Sequence, residues 1–123
     1  MPLNGFKQLS DPAKCPVRTV LDRLGDKWSV LVILFLSESE SLRFSQLRKA
    51  IGDVSQKMLT ITLRTLEADG IISRQLFAEV PLRVEYRLTE RGRTLLPHLL
   101  QLAEWALQNM KQIVRDRNKF LGK

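Results

Sequence analysis

The chain has 123 residues, enough for one domain that buries its own core, and its 44% apolar and 27% charged residues are ordinary for a globular chain. Twenty Lys and Arg against thirteen Asp and Glu leave a formal net charge of +7, which biases the partners toward polyanions: nucleic acid, an anionic surface or an acidic protein. A single cysteine excludes an internal disulfide framework and a cysteine-built zinc site, and fits a reducing compartment.

Residues 1–14 carry Pro2, Gly5 and Pro12 with little periodicity and read as an N-terminal arm. They hold no apolar stretch of the secretory kind, and the longest apolar run, Val30 to Leu36, is far too short to span a bilayer. A cytoplasmic protein is the expectation. Pro16 suits the first turn of a helix, where its missing N–H costs nothing. Val17, Val20, Leu21 and Leu24 give that helix an amphipathic stripe ending near Gly25. The β-branched content of DKWSVLVILFL permits a strand, but its length and Asp26 as N-cap favour a buried helix. A polar connection, Ser37 to Ser41, leads into LRFSQLRKAI, with Ser45 as candidate N-cap and Phe44, Leu47, Ala50 and Ile51 facing inward.

A tight turn at Gly52-Asp53 separates that helix from a longer one with Ser55 at its start and Gly70 at its close. Leu59, Leu63 and Leu66 form an apolar stripe, and Lys57, Thr60, Ile61 and Arg64 occupy the opposite face, with Gln56 just ahead. The period then changes from 3.6 to 2. Val84, Tyr86 and Leu88 alternate with Arg83, Glu85 and Arg87, a strand with one wet face that Ile72 to Phe77 can pair. Thr89-Glu90 opens a last helical region running to about Arg117, with a kink or break expected at Pro97.

The order is helix, helix, helix–turn–helix, hairpin, long helix: mainly α with a small β-hairpin. A helix–turn–helix sends its second helix into the major groove of duplex DNA. Leucines would anchor that helix while Gln56, Lys57, Thr60 and Arg64 project toward base edges and phosphates, and Ser55 would cap it beside N–H groups that can meet a phosphate. Arg74, Arg83 and Arg87 on the hairpin would reach the flanking backbone or minor groove. A polar helix face is often merely solvated. Against that, residues 43–64 hold five basic residues and one acidic residue, Asp53, and a basic hairpin follows.

The segments CPVRTVLDRLGDKWSVLVI, LRFSQLRKAIGDVSQKMLTITLRTLEADGII, EVPLRVEYRLTERGRTLLP and AEWA, in that order, resemble the HxlR-type winged helix-turn-helix transcriptional regulators, a MarR-like group. The likeness covers most of the chain, from Cys15 to Ala106. It implies a homodimeric regulator joined through its N- and C-terminal helices, with the helix from Ser55 as recognition helix and residues 77–84 as the wing. Residues matching the family's DNA face are Ser55, Gln56, Lys57, Met58, Thr60 and Arg64; Arg43, Arg74, Arg83 and Arg87, read from the basic hairpin and its flanks, are the candidate wing and flank contacts. Ile61 departs from the polar residue often found there and suits an apolar contact such as a thymine methyl. The segments are then an arm (1–14), a winged helix-turn-helix domain (15–106) and a basic C-terminal helix extension (107–123).

Apolar residues cover more of the last helix than one small core needs, and Leu99, Leu102, Ala103, Ala106 and Met110 are the expected dimer interface. A two-fold dimer matches a palindromic operator. Cys15 precedes Pro16 at a helix start, with Lys14 and Arg18 nearby, a setting that favours the thiolate. Some regulators that resemble this one use such a cysteine to sense an oxidant or small electrophile; the alternative is a buried thiol acting as a small hydrophobe. Nothing resembles an active site. The only histidine, His98, lies in a leucine-rich stretch, no phosphate loop appears, and acidic residues are scattered, so no enzyme, cofactor, metal or membrane role is expected. The reading is a sequence-specific DNA-binding regulator, with repression favoured and activation left open by the sequence. Its rival is a basic dimeric protein-interaction module that uses the winged fold without DNA.

Overall fold

The segment DKWSVLVILFL, read as a buried helix, is one from Ser29 onward; its N-cap is Trp28 rather than Asp26, whose carboxylate holds the turn that leads into it. The Asp26 carboxylate accepts the amides of Trp28 and Ser29, both at 2.7 Å, and the Ser29 hydroxyl at 2.9 Å. In the computed structural model, which describes residues 7–11 and 13–123, the elements are α1 (Lys7–Ser10), α2 (Pro16–Leu24), α3 (Ser29–Ser37), β1 (Leu42–Arg43), α4 (Phe44–Ile51), α5 (Gln56–Ala68), β2 (Ile72–Phe77), β3 (Arg83–Leu88) and α6 (Glu90–Phe120). Much of the segment expected to be an arm lies outside the described residues; the described part includes α1, one turn beside α2.

The sheet is antiparallel in the order β1-β3-β2. Ile72 pairs with Leu88 and Phe77 with Arg83, while Leu42 and Arg43 pair with Tyr86 and Glu85 on the other edge of β3. The hairpin is as the alternation predicts; β1 is an addition. Two residues are too few to show a period, and only pairing with β3 reveals them. This strand also moves the start of α4. Because residues 42–43 are extended and bonded to β3, the N-cap is Arg43, not Ser45, and the Gln46 side chain accepts the Arg43 amide at 2.8 Å. Leu47 is buried, Phe44 and Ile51 are half-buried, and Ala50 faces solvent, contrary to expectation.

Helix α3 is apolar all round and sits in the middle, packed by α2, α4, α5, α6 and β3. Val32, Ile33 and Leu36 join Leu47, Leu59, Leu63, Leu66, Ile72, Tyr86, Leu88 and Leu99 in one core. Each aliphatic side chain taken fully from water contributes about 1.5–3 kcal/mol. Helix α5 ends in a Schellman arrangement. The amides of Gly70 and Ile71 bond back to the carbonyls of Glu67 and Leu66 at 3.0 and 2.9 Å, and Gly70 takes φ +73°, where a side chain would be strained.

Helix α6 runs unbroken for 31 residues through Pro97, where an interruption was expected. Pro97 cannot donate to the Arg93 carbonyl, but both residues are exposed rather than packed in the core, while Leu95, Leu96 and Leu99 hold the first half on the core. Among the described residues no helix is long and apolar enough to cross a membrane.

Candidate nucleic-acid interface

Ser55 leaves the Gly52-Asp53 turn in an extended conformation, and its hydroxyl oxygen accepts the Met58 amide at 3.1 Å, making it the N-cap of α5. From that start the helix presents two unlike faces. Leu59, Leu63 and Leu66 are 2% exposed or less and hold it to the body. On the far side Gln56, Lys57, Thr60, Ile61 and Arg64 together line a shallow, solvent-open depression of about 520 Å³. Thr60 donates to the Gln56 carbonyl at 2.8 Å, which turns its methyl rather than its hydroxyl hydrogen to any partner. Met58 does not belong to this face: it is half-buried and packs against the core.

Two more hollows flank the depression. Thr60 and Arg64 also wall a cleft of about 300 Å³ with Phe44, Glu67, Arg74 and Tyr86, so the hairpin brings Arg74 to the side of Arg64. Toward α4, a groove of about 530 Å³ is lined by Phe44, Ser45, Arg48, Lys49, Gly52 and Gln56. Arg48 and Lys49 are candidate phosphate contacts that the site reading missed. Their signal was available, since both lie in the last turn of the helix before the Gly52 turn, and Arg48 reaches across it to the Val54 carbonyl at 3.4 Å.

The hairpin cations are not equivalent. Arg74 and Arg43 are exposed. Arg83 is held inside the hairpin, 2.9 Å from Glu79 and 3.1 Å from Glu85, with its guanidinium 3.9 Å from the centre of the Phe77 ring. Its charge is already matched, and the tip it braces ends in exposed Val80 and Leu82. Arg87 meets Glu40 only at 3.9 Å, an exposed pair worth little.

The residues proposed for a dimer divide. Leu99 is buried in the chain's own core, Ala103 and Ala106 are half-buried, and Leu102 and Met110 are about half exposed. Trp105, Leu107 and Val114 are exposed on the same helix, and α2 buries none of its side chains, leaving Val17 and Leu21 in water. Cys15 is 2% exposed; its sulfur caps α2, accepting the Arg18 amide at 3.4 Å.

Residues 23–114 match the model of the HxlR-like helix-turn-helix family. The HTH-type transcriptional regulator YybR of Bacillus subtilis is 41% identical over 109 residues, covering 89% of this chain and 86% of YybR. Among solved structures, the regulator ytfH from Salmonella typhimurium superposes with a TM-score of 0.77 at 38% identity, covering 86% of this chain and 94% of that one. The redox regulator HypR in its oxidized form gives a TM-score of 0.72 at 44% identity, over 77% of this chain and 97% of HypR. A capped helix with one leucine face and one polar face, a short hairpin beside it and this degree of identity have one meaning: the chain belongs to the HxlR-like helix-turn-helix family of transcriptional regulators.

Proposed function

We propose that the protein is a homodimeric, operator-binding transcriptional regulator whose helix α5 enters the major groove. The observation that carries this reading is the free outer face of α5, where Gln56, Lys57, Thr60, Ile61 and Arg64 share one solvent-open surface flanked by Arg48, Lys49 and Arg74. Arg64 and Gln56 are assigned to base edges, Ile61 to a thymine methyl, and Lys57, Arg43 and Arg74 to phosphates. Arg83 is assigned to bracing the wing rather than to the DNA. Two copies joined through α2 and the outer half of α6 would place two α5 helices in successive major grooves about 34 Å apart, on a palindromic site. A protein seated there excludes others from the same DNA, and repression is the regulatory sense we assign. The protein acts by binding, without catalysis, in the cytoplasm.

Cys15 is the candidate sensor of an oxidant or small electrophile, supported by the likeness to HypR, which is described as a redox regulator. Its burial means that the thiol reacts only when the start of α2 opens. Operator binding of the wild type and of Cys15→Ser, followed during titration with hypochlorite or a quinone, tests this; equal responses end the sensor assignment.

The DNA reading is tested by selecting bound fragments from the source genome, then titrating a selected site and a random duplex at two salt concentrations. Arg64→Ala should lose about 1–3 kcal/mol on the selected site and relax one base position. Arg74→Ala should weaken both duplexes alike and lower the salt slope by about 1. A chain that binds neither duplex at low salt is the protein-interaction module instead.

A further inference from the structure

The β2–β3 hairpin has two unlike faces. On the face that packs on the core, Ile72 pairs with Leu88, Arg74 with Tyr86 and Leu76 with Val84. Ile72, Tyr86 and Leu88 are buried, and the row then runs on past the core: Val84 is half-buried and Leu76 is 52% exposed. Leu82, also more exposed than not, and the fully exposed Val80 carry apolar surface on to the tip. On the reverse face Phe77 pairs with Arg83 and Gln75 with Glu85.

The outer half of this hairpin has no charge to spare. Between Gln75 and Val84 the charged residues are Glu79 and Arg83, which meet each other at 2.9 Å. Arg83 is held on the reverse face a second time by Glu85 and by the ring of Phe77. A tip of zero net charge releases no counterions and cannot grip a phosphate as a lysine or arginine does. What it offers instead is aliphatic surface, and a cluster of exposed apolar side chains on a projecting hairpin marks a contact.

The cluster continues the surface assigned to DNA. Arg74 stands two residues before Leu76 on the same face of the strand and walls one cleft with Arg64. With Arg74 on a phosphate at the edge of the groove that α5 enters, the tip lies roughly 10 Å farther along the hairpin at 3.3 Å per residue, over the neighbouring minor groove. The walls of that groove are deoxyribose, which is apolar. We propose, resting on the DNA reading above, that the wing is an apolar minor-groove contact. Leu76, Val80, Pro81 and Leu82 pack against deoxyribose edges and add affinity that salt does not weaken, while Arg83 stiffens the tip from behind.

The experiment compares the wild type with a double variant, Val80→Ser with Leu82→Ser, two exposed positions whose change leaves the circular dichroism spectrum as it is. Both proteins are titrated with the selected site at two salt concentrations. They are also footprinted on it with hydroxyl radicals, which attack deoxyribose from the minor groove. The variant should bind about tenfold more weakly at both salt concentrations, with an unchanged salt slope. The wild type should protect a patch of sugars flanking the site, and the variant should lose that patch while keeping protection at the centre. Unchanged affinity, a lowered salt slope, or flanking sugars that are the same in both proteins overturns the wing contact and leaves α5 on the DNA. A wild type that binds neither the selected site nor a random duplex ends the DNA reading itself, and the wing contact with it.

Discussion

Gly92, in the first turn of α6, lies so close to the carbonyl oxygen of Ile71 that a Cβ built on it would overlap that atom, with Leu88 Cδ2 a further 3.1 Å contact. The backbone of Gly92 is ordinary helix, so space rather than dihedral freedom requires glycine here. Gly92→Ala should destabilise the chain by about 2–3 kcal/mol, because the displaced group is backbone and cannot rotate away. Urea unfolding monitored by circular dichroism checks this; an unchanged midpoint would show that α6 can shift without cost.

Asp26 holds three hydrogen bonds at the start of the central helix. Asp26→Ala should cost about 2 kcal/mol, because the amides of Trp28 and Ser29 lose their acceptor, and Asp26→Asn much less because its carbonyl can still accept both. Thermal unfolding of both variants separates the acceptor from the charge: equal losses would mean that the carboxylate's charge, not its acceptor geometry, is what matters.

Thr62 lies inside α5, 2% exposed, with a hydroxyl that meets no partner. Thr62→Val keeps the branched shape and removes the unsatisfied group, so the chain should gain about 1 kcal/mol. Loss of stability in the same unfolding assay would reveal a hydrogen bond hidden in the folded state.

Leu102 is about half exposed on the same helix as Trp105 and Met110, with no partner in the single chain to cover it. If two copies meet through α6, Leu102→Glu places a charge in an apolar interface, and the sedimenting species should fall to the monomer mass at micromolar concentration with helix content retained. An unchanged sedimentation coefficient would move the contact to another face.

Much of this molecule could be read in the sequence. The leucine stripe of α5, its Ser55 cap, the Gly70 close and the β2–β3 alternation are local patterns with one physical solution each, and all four are in the fold. The rest depended on distant partners. Strand β1 exists because β3 offers an edge, and that pairing fixes Arg43 as the cap of α4. Arg83 resembles Arg74 in any count of charges; only the fold reveals Glu79, Glu85 and Phe77 around the one and none of them around the other. Helical spacing likewise groups Leu99 with Leu102, and only the position of α3 decides that the first is core.

The Thr89 hydroxyl donates to the carbonyls of Gly70 and Ile71 at 2.5 and 3.0 Å, accepts the Gly92 amide at 3.1 Å, and the Thr89 amide bonds the Ile71 carbonyl at 3.1 Å. These few bonds rivet the final turn of α5 to the root of α6. A tilt imposed on the outer end of that shaft, roughly 45 Å long at 1.5 Å per residue, arrives at α5 as a rotation instead of being absorbed at a joint. Compliance has to come from the shaft itself, and Pro97, about two turns past the rivet and missing a rung, is where it would flex.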